Sequence, residues 1–143
     1  MRGLRSVADL QTRQLRFELR ELTLVALGAA PGALLRWQSG VQLGPYLGGS
    51  AGADLLVNLV GSFLLGFLSG PIPRRTSLVL LLGIGFCGCL TTFSSWMLDV
   101  VKLVEDGRPL WGLLLILVSL CFGLLSAAGG LVLSRRLFRR RPC

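Results

Sequence analysis

Four runs of apolar residues dominate the chain, at 22–36, 55–69, 78–101 and 110–133, and the polar positions collect in short clusters between them and at the two ends. A membrane-spanning helix needs about 20 mostly apolar residues, within a range of about 17–25. The third and fourth runs meet that length directly, and the first two meet it when their ends extend a few residues into the flanks. None carries the polar stripe that a helix of a water-soluble bundle turns to solvent. The pattern predicts an all-α membrane protein with four transmembrane helices. Residues 1–21 form a basic arm placed at the cytoplasmic membrane surface, 22–134 the four-helix membrane domain, and 135–143 a basic cytoplasmic tail.

The third run departs most from a plain membrane anchor. Residues 85–96 read GFCGCLTTFSSW, with Gly85 and Gly88, then Thr91 and Thr92, Ser94 and Ser95, and Phe93 and Trp96 one turn apart. Glycine in a helix interior costs about 1 kcal/mol relative to alanine. Inside a bilayer, freed backbone groups are tolerated only where protein or a polar cavity satisfies them. The stretch therefore predicts a third helix broken near its centre and facing other protein. A break exposes carbonyl oxygens able to hold a cation, beside hydroxyls able to hydrogen-bond a permeating solute.

The other runs carry fewer signals. Helix 1 contains GAAPGALLRW at 28–37, where Pro31 should kink the helix and the small residues permit close packing. Arg36 and Trp37 fit an interfacial anchor pair; alternatively, Arg36 lends positive potential to an anion vestibule. A glycine-rich loop at 38–53 leads to DLLVNLVGSFLLGFLSG, in which Asp54 is read as a charge at a helix N-terminus. Asn58, Ser62 and Gly66 share one helical face. That face serves either as helix–helix glue or as an amide and a hydroxyl turned into a pore. Helix 4 starts near Pro109 and carries a stripe of small residues from Gly112 to Gly130, with only two hydroxyls, Ser119 and Ser126.

Charge sets orientation and narrows function. The 143 residues include 15 Lys and Arg against 7 Asp and Glu, and no histidine. Twelve cationic residues lie in the arm, the turn at 70–76 and the tail, against Arg36, Lys102 and Arg108 on the other side; by the positive-inside rule both termini are cytoplasmic. The basic excess sits where membrane proteins keep it and does not call for nucleic acid. Cys87, Cys89, Cys121 and Cys143 fit no zinc spacing. No phosphate-binding loop, paired buried carboxylates or nucleophile with a general base points to an enzyme. No ionisable residue sits at mid-membrane as in a proton-coupled carrier. What remains at depth is neutral: one amide, several hydroxyls and aromatic edges, all able to meet a small anion without trapping it.

At these residues the chain resembles the Fluc (CrcB-type) fluoride channels of bacteria. The resemblance rests on GAxxR in helix 1, LLVNxxGSFxxG in helix 2 and GFCGxxTTFS in helix 3, and spans about 28–130. It implies an antiparallel dimer with two pores between subunits, passing fluoride passively out of the cytoplasm across the cell (inner) membrane. It also implies a structural, untransported sodium ion (Na+) at the dimer centre, held by backbone carbonyls that fall here on Gly88 and Thr91. Hard cations take such oxygen ligands. The resemblance places the pore asparagine at Asn58, the first pore phenylalanine at Phe93, the hydroxyl track at Ser94 and Ser95, and the helix 4 serine at Ser119. Trp96 stands where the family has its second phenylalanine, Cys89 replaces a glycine of the break, no tyrosine occurs near Leu115, and Gly123 follows Ser119 by one turn. These departures thin the polar track. An antiparallel homodimer must insert both ways, whereas a 12-to-3 charge bias favours one orientation. The partner is accordingly either a second copy or a related chain of opposite bias, with this chain then a partly degenerate structural subunit. Small multidrug exporters, also four-helix proteins, carry a membrane-embedded glutamate in helix 1; here no acidic residue occurs between Glu21 and Asp54.

Overall fold

The structure is a computed structural model that describes residues 2–72 and 75–138. Pro73 and Arg74 of the basic turn, and Arg139, Arg140, Arg141 and Cys143 of the tail, lie outside the described residues.

Helix α1 runs from Arg2 to Leu43 without interruption. At about 1.5 Å per residue its 42 residues extend about 63 Å, twice the ~30 Å hydrocarbon thickness of a bilayer. The basic arm is thus helical and continuous with the apolar stretch. Pro31 sits inside α1 without ending it. A single turn of 3-10 helix, Gly44–Tyr46, and two glycines with positive φ, Gly48 and Gly49, reverse the chain. Helix α2, Ser50–Leu68, starts four residues before Asp54, so Asp54 lies a full turn inside the helix and not at its N-terminus.

The third apolar run is composite. A short α3, Arg75–Leu78, passes into π-helix over Val79–Cys87 and then into α4, Gly88–Leu90. Thr91 is extended, with φ −72 and ψ 151. The chain resumes as α5, Ser94–Glu105, and after the Gly107 turn as α6, Pro109–Leu137. Three stretches are long and apolar enough to cross a membrane, Ser50–Leu68, Thr76–Glu105 and Pro109–Leu137. The apolar part of α1 is not among those three. Outward faces are apolar as well: Leu110, Leu124 and Leu125 on α6 and Leu34 on α1 are all more than half exposed, as suits helices surrounded by lipid tails.

Close backbone approach, rather than large interdigitating side chains, holds these helices together. In lipid there is no hydrophobic drive between helices, so contact depends on fit. A Cβ on Gly28 would fall on the Leu81 carbonyl oxygen, and one on Gly32 on that of Phe86, which seats α1 against the π-helical segment. On α2 and α6, a Cβ on Gly66 would meet the Ala127 carbonyl and one on Gly130 the Phe63 carbonyl. Ser126 pins the same pair by donating to Leu59 O at 2.7 Å. The neighbouring Gly129 is different: its Cβ would meet only the Phe63 ring edge at 4.0 Å. Gly130→Ala is therefore expected to destabilise the protein by at least about 1–3 kcal/mol, because a backbone oxygen cannot yield. Gly129→Ala should be near neutral, and thermal unfolding of the two purified variants in detergent checks the contrast.

Candidate functional site

The site is built where the third run stops being helical. In an uninterrupted helix the amide of Thr92 would donate to Gly88 O, and the amide of Ser95 to Thr91 O. Neither bond forms. Thr92 N–H donates to Asn58 Oδ1 at 2.8 Å, and Asn58 Nδ2 donates to Thr92 O at 2.9 Å. One side-chain amide on α2 thus replaces both helical bonds of a single residue. Ser95 N–H turns to Thr92 Oγ1 at 3.3 Å, and the Thr92 and Ser95 hydroxyls share a 2.6 Å bond, an arrangement like a helix N-cap at the start of α5. Thr91 closes the preceding turn by donating through both its amide and its hydroxyl to Cys87 O, each at 2.9 Å.

The consequence falls on two carbonyls. With their helical donors diverted, Gly88 O and Thr91 O accept no backbone hydrogen bond among the described residues. Such groups inside a membrane protein require another partner, and carbonyl oxygens are the kind of ligand that could hold a hard cation. Gly88 is exposed and Thr91 half-buried, so the break reaches the surface of the chain.

Beside the break lies a cavity of about 440 Å³ between α2, the break, α5 and α6. Four of the residues predicted to line a pore, Asn58, Phe93, Trp96 and Ser119, line it together with Ser62 and Thr92. Phe93 is 71% exposed and Trp96 6% exposed, with ring centroids 5.6 Å apart. Trp96 reaches across to α6, where its Nε1–H donates to Ser119 Oγ at 2.9 Å. Among the described residues no charged side chain lines the cavity. Its donors are the second N–H of Asn58 and the hydroxyls of Ser62 and Ser119.

Ser94 and Ser95 are not brought to this cavity; Ser94 is exposed and the Ser95 hydroxyl is engaged with Thr92. Arg36 lies apart from it too, half-buried and within electrostatic reach of Asp54. Sequence reasoning missed Thr92 as the residue that the asparagine holds. It also missed two buried acids: Asp54 and Asp99 are 8% and 7% exposed. Asp99 Oδ1 accepts from Ser50 Oγ at 2.8 Å and pairs with Lys102 Nζ at 3.4 Å. The signal for Asp99 was its i, i+3 spacing to Lys102, which reads equally well as an exposed pair.

An all-helical structure over the described residues with three apolar spans, and a mostly apolar cavity with a few neutral polar side chains beside Thr91 and Thr92, define a multi-pass membrane protein. The chain belongs to the CrcB family: residues 23–131 match the model for CrcB-like protein, Camphor Resistance (CrcB), a family of ion channels and not enzymes. It is 54% identical over 128 residues to "Fluoride-specific ion channel FluC 2" of Synechococcus sp. (strain CC9605), covering 90% of this chain and 91% of that protein. It is 54% identical over 129 residues to the protein of the same name from Parasynechococcus marenigrum (strain WH8102), covering 89% and 90%. It is 40% identical over 127 residues to "Fluoride-specific ion channel FluC" of Methanocaldococcus jannaschii, covering 85% and 99%.

The clamp makes a prediction about stability. Asn58→Ala leaves the amide and carbonyl of Thr92 unsatisfied at a site where Thr92 is 7% exposed. Each abandoned buried group costs about 1–3 kcal/mol, so Asn58→Ala is expected to lower the unfolding midpoint in detergent well below that of Ser62→Ala, whose hydroxyl supports no backbone group.

Proposed function

We propose that this protein is a fluoride channel subunit that lets fluoride leave the cytoplasm passively across the cell membrane, lowering its toxicity. The observation that carries the reading is the cavity beside the clamped break: its few polar side chains, Asn58, Ser62 and Ser119 among them, are neutral in a mostly apolar lining, and the relatives with which the chain aligns along most of its length are named for fluoride. A neutral donor set can replace part of the hydration shell of a small anion while leaving it free to depart, which conduction requires. Asn58, Phe93, Trp96 and Ser119 form the anion path in this reading, and Ser94 and Ser95 extend it only beyond the cavity. Arg36 raises the local potential at the vestibule.

The apolar stretch of α1 serves as a fourth span, with both termini cytoplasmic, in keeping with the charge bias. A second four-helix chain packs antiparallel against the face that carries exposed Phe93 and Gly88, so that pores lie between subunits. Gly88 O and Thr91 O, with no helical donor, hold a structural sodium ion there with their counterparts from the other chain; such an ion supplies fixed positive charge at the interface and is not transported. The 12-to-3 distribution of cationic residues favours a second reading in which the other chain is a relative of opposite bias and this subunit is mainly structural.

Fluoride efflux from liposomes holding the purified chain alone, with chloride as control, tests the proposal. Fast fluoride efflux with little chloride leak is expected, slowed at least about tenfold by Phe93→Leu in a protein that still elutes as a dimer, and weakened when sodium is replaced on both sides by a large organic cation. A folded dimer that passes no ion sinks the homodimeric channel; recovery of flux on adding a second, oppositely biased chain then establishes the paired form.

A further inference from the structure

A hydroxyl inside a helix usually donates its proton to a carbonyl one turn back. Thr23 does so to Leu19 O at 2.7 Å, Ser69 to Leu65 O at 2.8 Å and Thr91 to Cys87 O at 2.9 Å. Ser119 does not. Among the described residues its hydroxyl takes part in one hydrogen bond, the 2.9 Å bond from Trp96 Nε1. An indole N–H can only donate, so Ser119 Oγ can only accept there. The hydroxyl proton is left to point elsewhere, and Ser119 lines the cavity. Trp96 is 6% exposed and its ring lies tilted at 56° beside Phe93, with centroids 5.6 Å apart, so packing restricts the indole.

We infer that Trp96 and Ser119 form a paired anion subsite in which the indole fixes the Ser119 hydroxyl as a one-way donor to a small, hard monovalent anion, and that this pair contributes to discrimination against larger halides. The inference rests on the channel reading above and assigns Trp96 a positioning role that a phenylalanine cannot fill. A hydroxyl that accepts a hydrogen bond becomes a better donor, because the two bonds polarise each other in a low-dielectric site. Its oxygen is also anchored, so the donor cannot retreat to make room for a larger ion. Fluoride, the smallest halide and the strongest acceptor, gains from both effects; chloride, a weaker acceptor of larger radius, gains little. Specificity built on a buried donor exceeds what apolar shape alone supplies, since the wrong partner leaves that donor poorly satisfied. Trp96 is then part of the selective element and not an obstruction.

The test compares Trp96→Phe, Ser119→Ala, the double variant and Ser119→Thr with the unaltered full-length protein in liposomes, reading fluoride efflux and chloride leak separately. Ser119→Ala is expected to lower the fluoride-to-chloride rate ratio on the order of tenfold, the loss of one hydrogen bond to a charged partner, and Trp96→Phe, which keeps the hydroxyl but frees it, to lower the ratio by a smaller factor. The double variant should be no worse than Ser119→Ala, and Ser119→Thr, which keeps the hydroxyl, should retain most of the ratio. A ratio unchanged or raised by Trp96→Phe, or losses that multiply in the double variant, would overturn the inference while leaving the channel reading intact. If the unaltered protein passes no fluoride, the homodimeric form of the channel reading fails alone, and the subsite is decided by titrating sodium fluoride against sodium chloride in detergent with Trp37→Phe and Trp111→Phe in place. A fluoride-specific change in Trp96 emission that Ser119→Ala abolishes supports the pair; no such change overturns it.

Discussion

The reciprocal amide pair between Asn58 and Thr92 is the constraint on which the rest of the site depends. Breaking a helix inside a bilayer strands polar backbone groups, each worth several kcal/mol if left unsatisfied. Asn58 is one of few side chains able to give and accept in one plane, so one residue satisfies both groups of Thr92 at 2.8 and 2.9 Å. The break is therefore held open by a neighbouring helix and not merely permitted by glycine. Once Thr92 is held, three things follow. Its hydroxyl is placed to cap α5, Trp96 on α5 bonds to Ser119 on α6, and Gly88 O and Thr91 O lose their donors.

The glycine contacts serve this geometry at a distance. Gly66 and Gly130 bring α2 and α6 to backbone contact, with Ser126 bonded across at 2.7 Å. That proximity sets the width across which Trp96 must reach Ser119. On the other side, Gly28 and Gly32 seat α1 against the π-helical segment, where a wider turn replaces the usual ladder. Departures from regular helix of this kind are frequent at functional sites. Here the π segment ends at Cys87, whose carbonyl then takes both the amide and the hydroxyl of Thr91.

Much of the membrane class and the importance of residues 85–96 was legible from composition alone, because apolar run length and misplaced glycines, serines and threonines report directly on a bilayer environment. What stayed hidden depends on partners far apart in sequence. LVLLLGIGFC is apolar on every face, so no periodicity distinguishes π-helix from α-helix. The run GGSAGA reads as loop, which put the start of α2 at Asp54 when helix begins at Ser50. Ser94 and Ser95 carry the right chemistry, but adjacent residues on a helix point about 100° apart, and the Thr92–Ser95 bond forms as a local cap only because Asn58, 34 positions away, breaks the helix at Thr92. The Trp96–Ser119 and Ser50–Asp99 bonds span 23 and 49 positions, beyond the reach of any pattern. The continuity of α1 through the basic arm was hidden for a different reason: a shift in composition from charged to apolar marks a boundary in sequence, while nothing between residues 2 and 22 stops a helix.

The placement of charge completes the physical case for passage over retention. Asp54 and Asp99 are buried near the ends of the helices, each with an Oδ2 that has no hydrogen-bond partner among the described residues. Two such carboxylates beside an anion path would oppose it, because their field is weakly screened at low dielectric. Lys102 pairs with Asp99 at 3.4 Å, so that acid is offset locally. The cavity one turn deeper, at Asn58, is left to neutral donors. On the proposed reading, an anion arriving there would meet dipoles rather than a full positive charge, and dipoles can stabilise an anion by an amount comparable to its lost hydration without exceeding it. Charge at the ends and dipoles in the middle is the arrangement in which a small anion is both admitted and released.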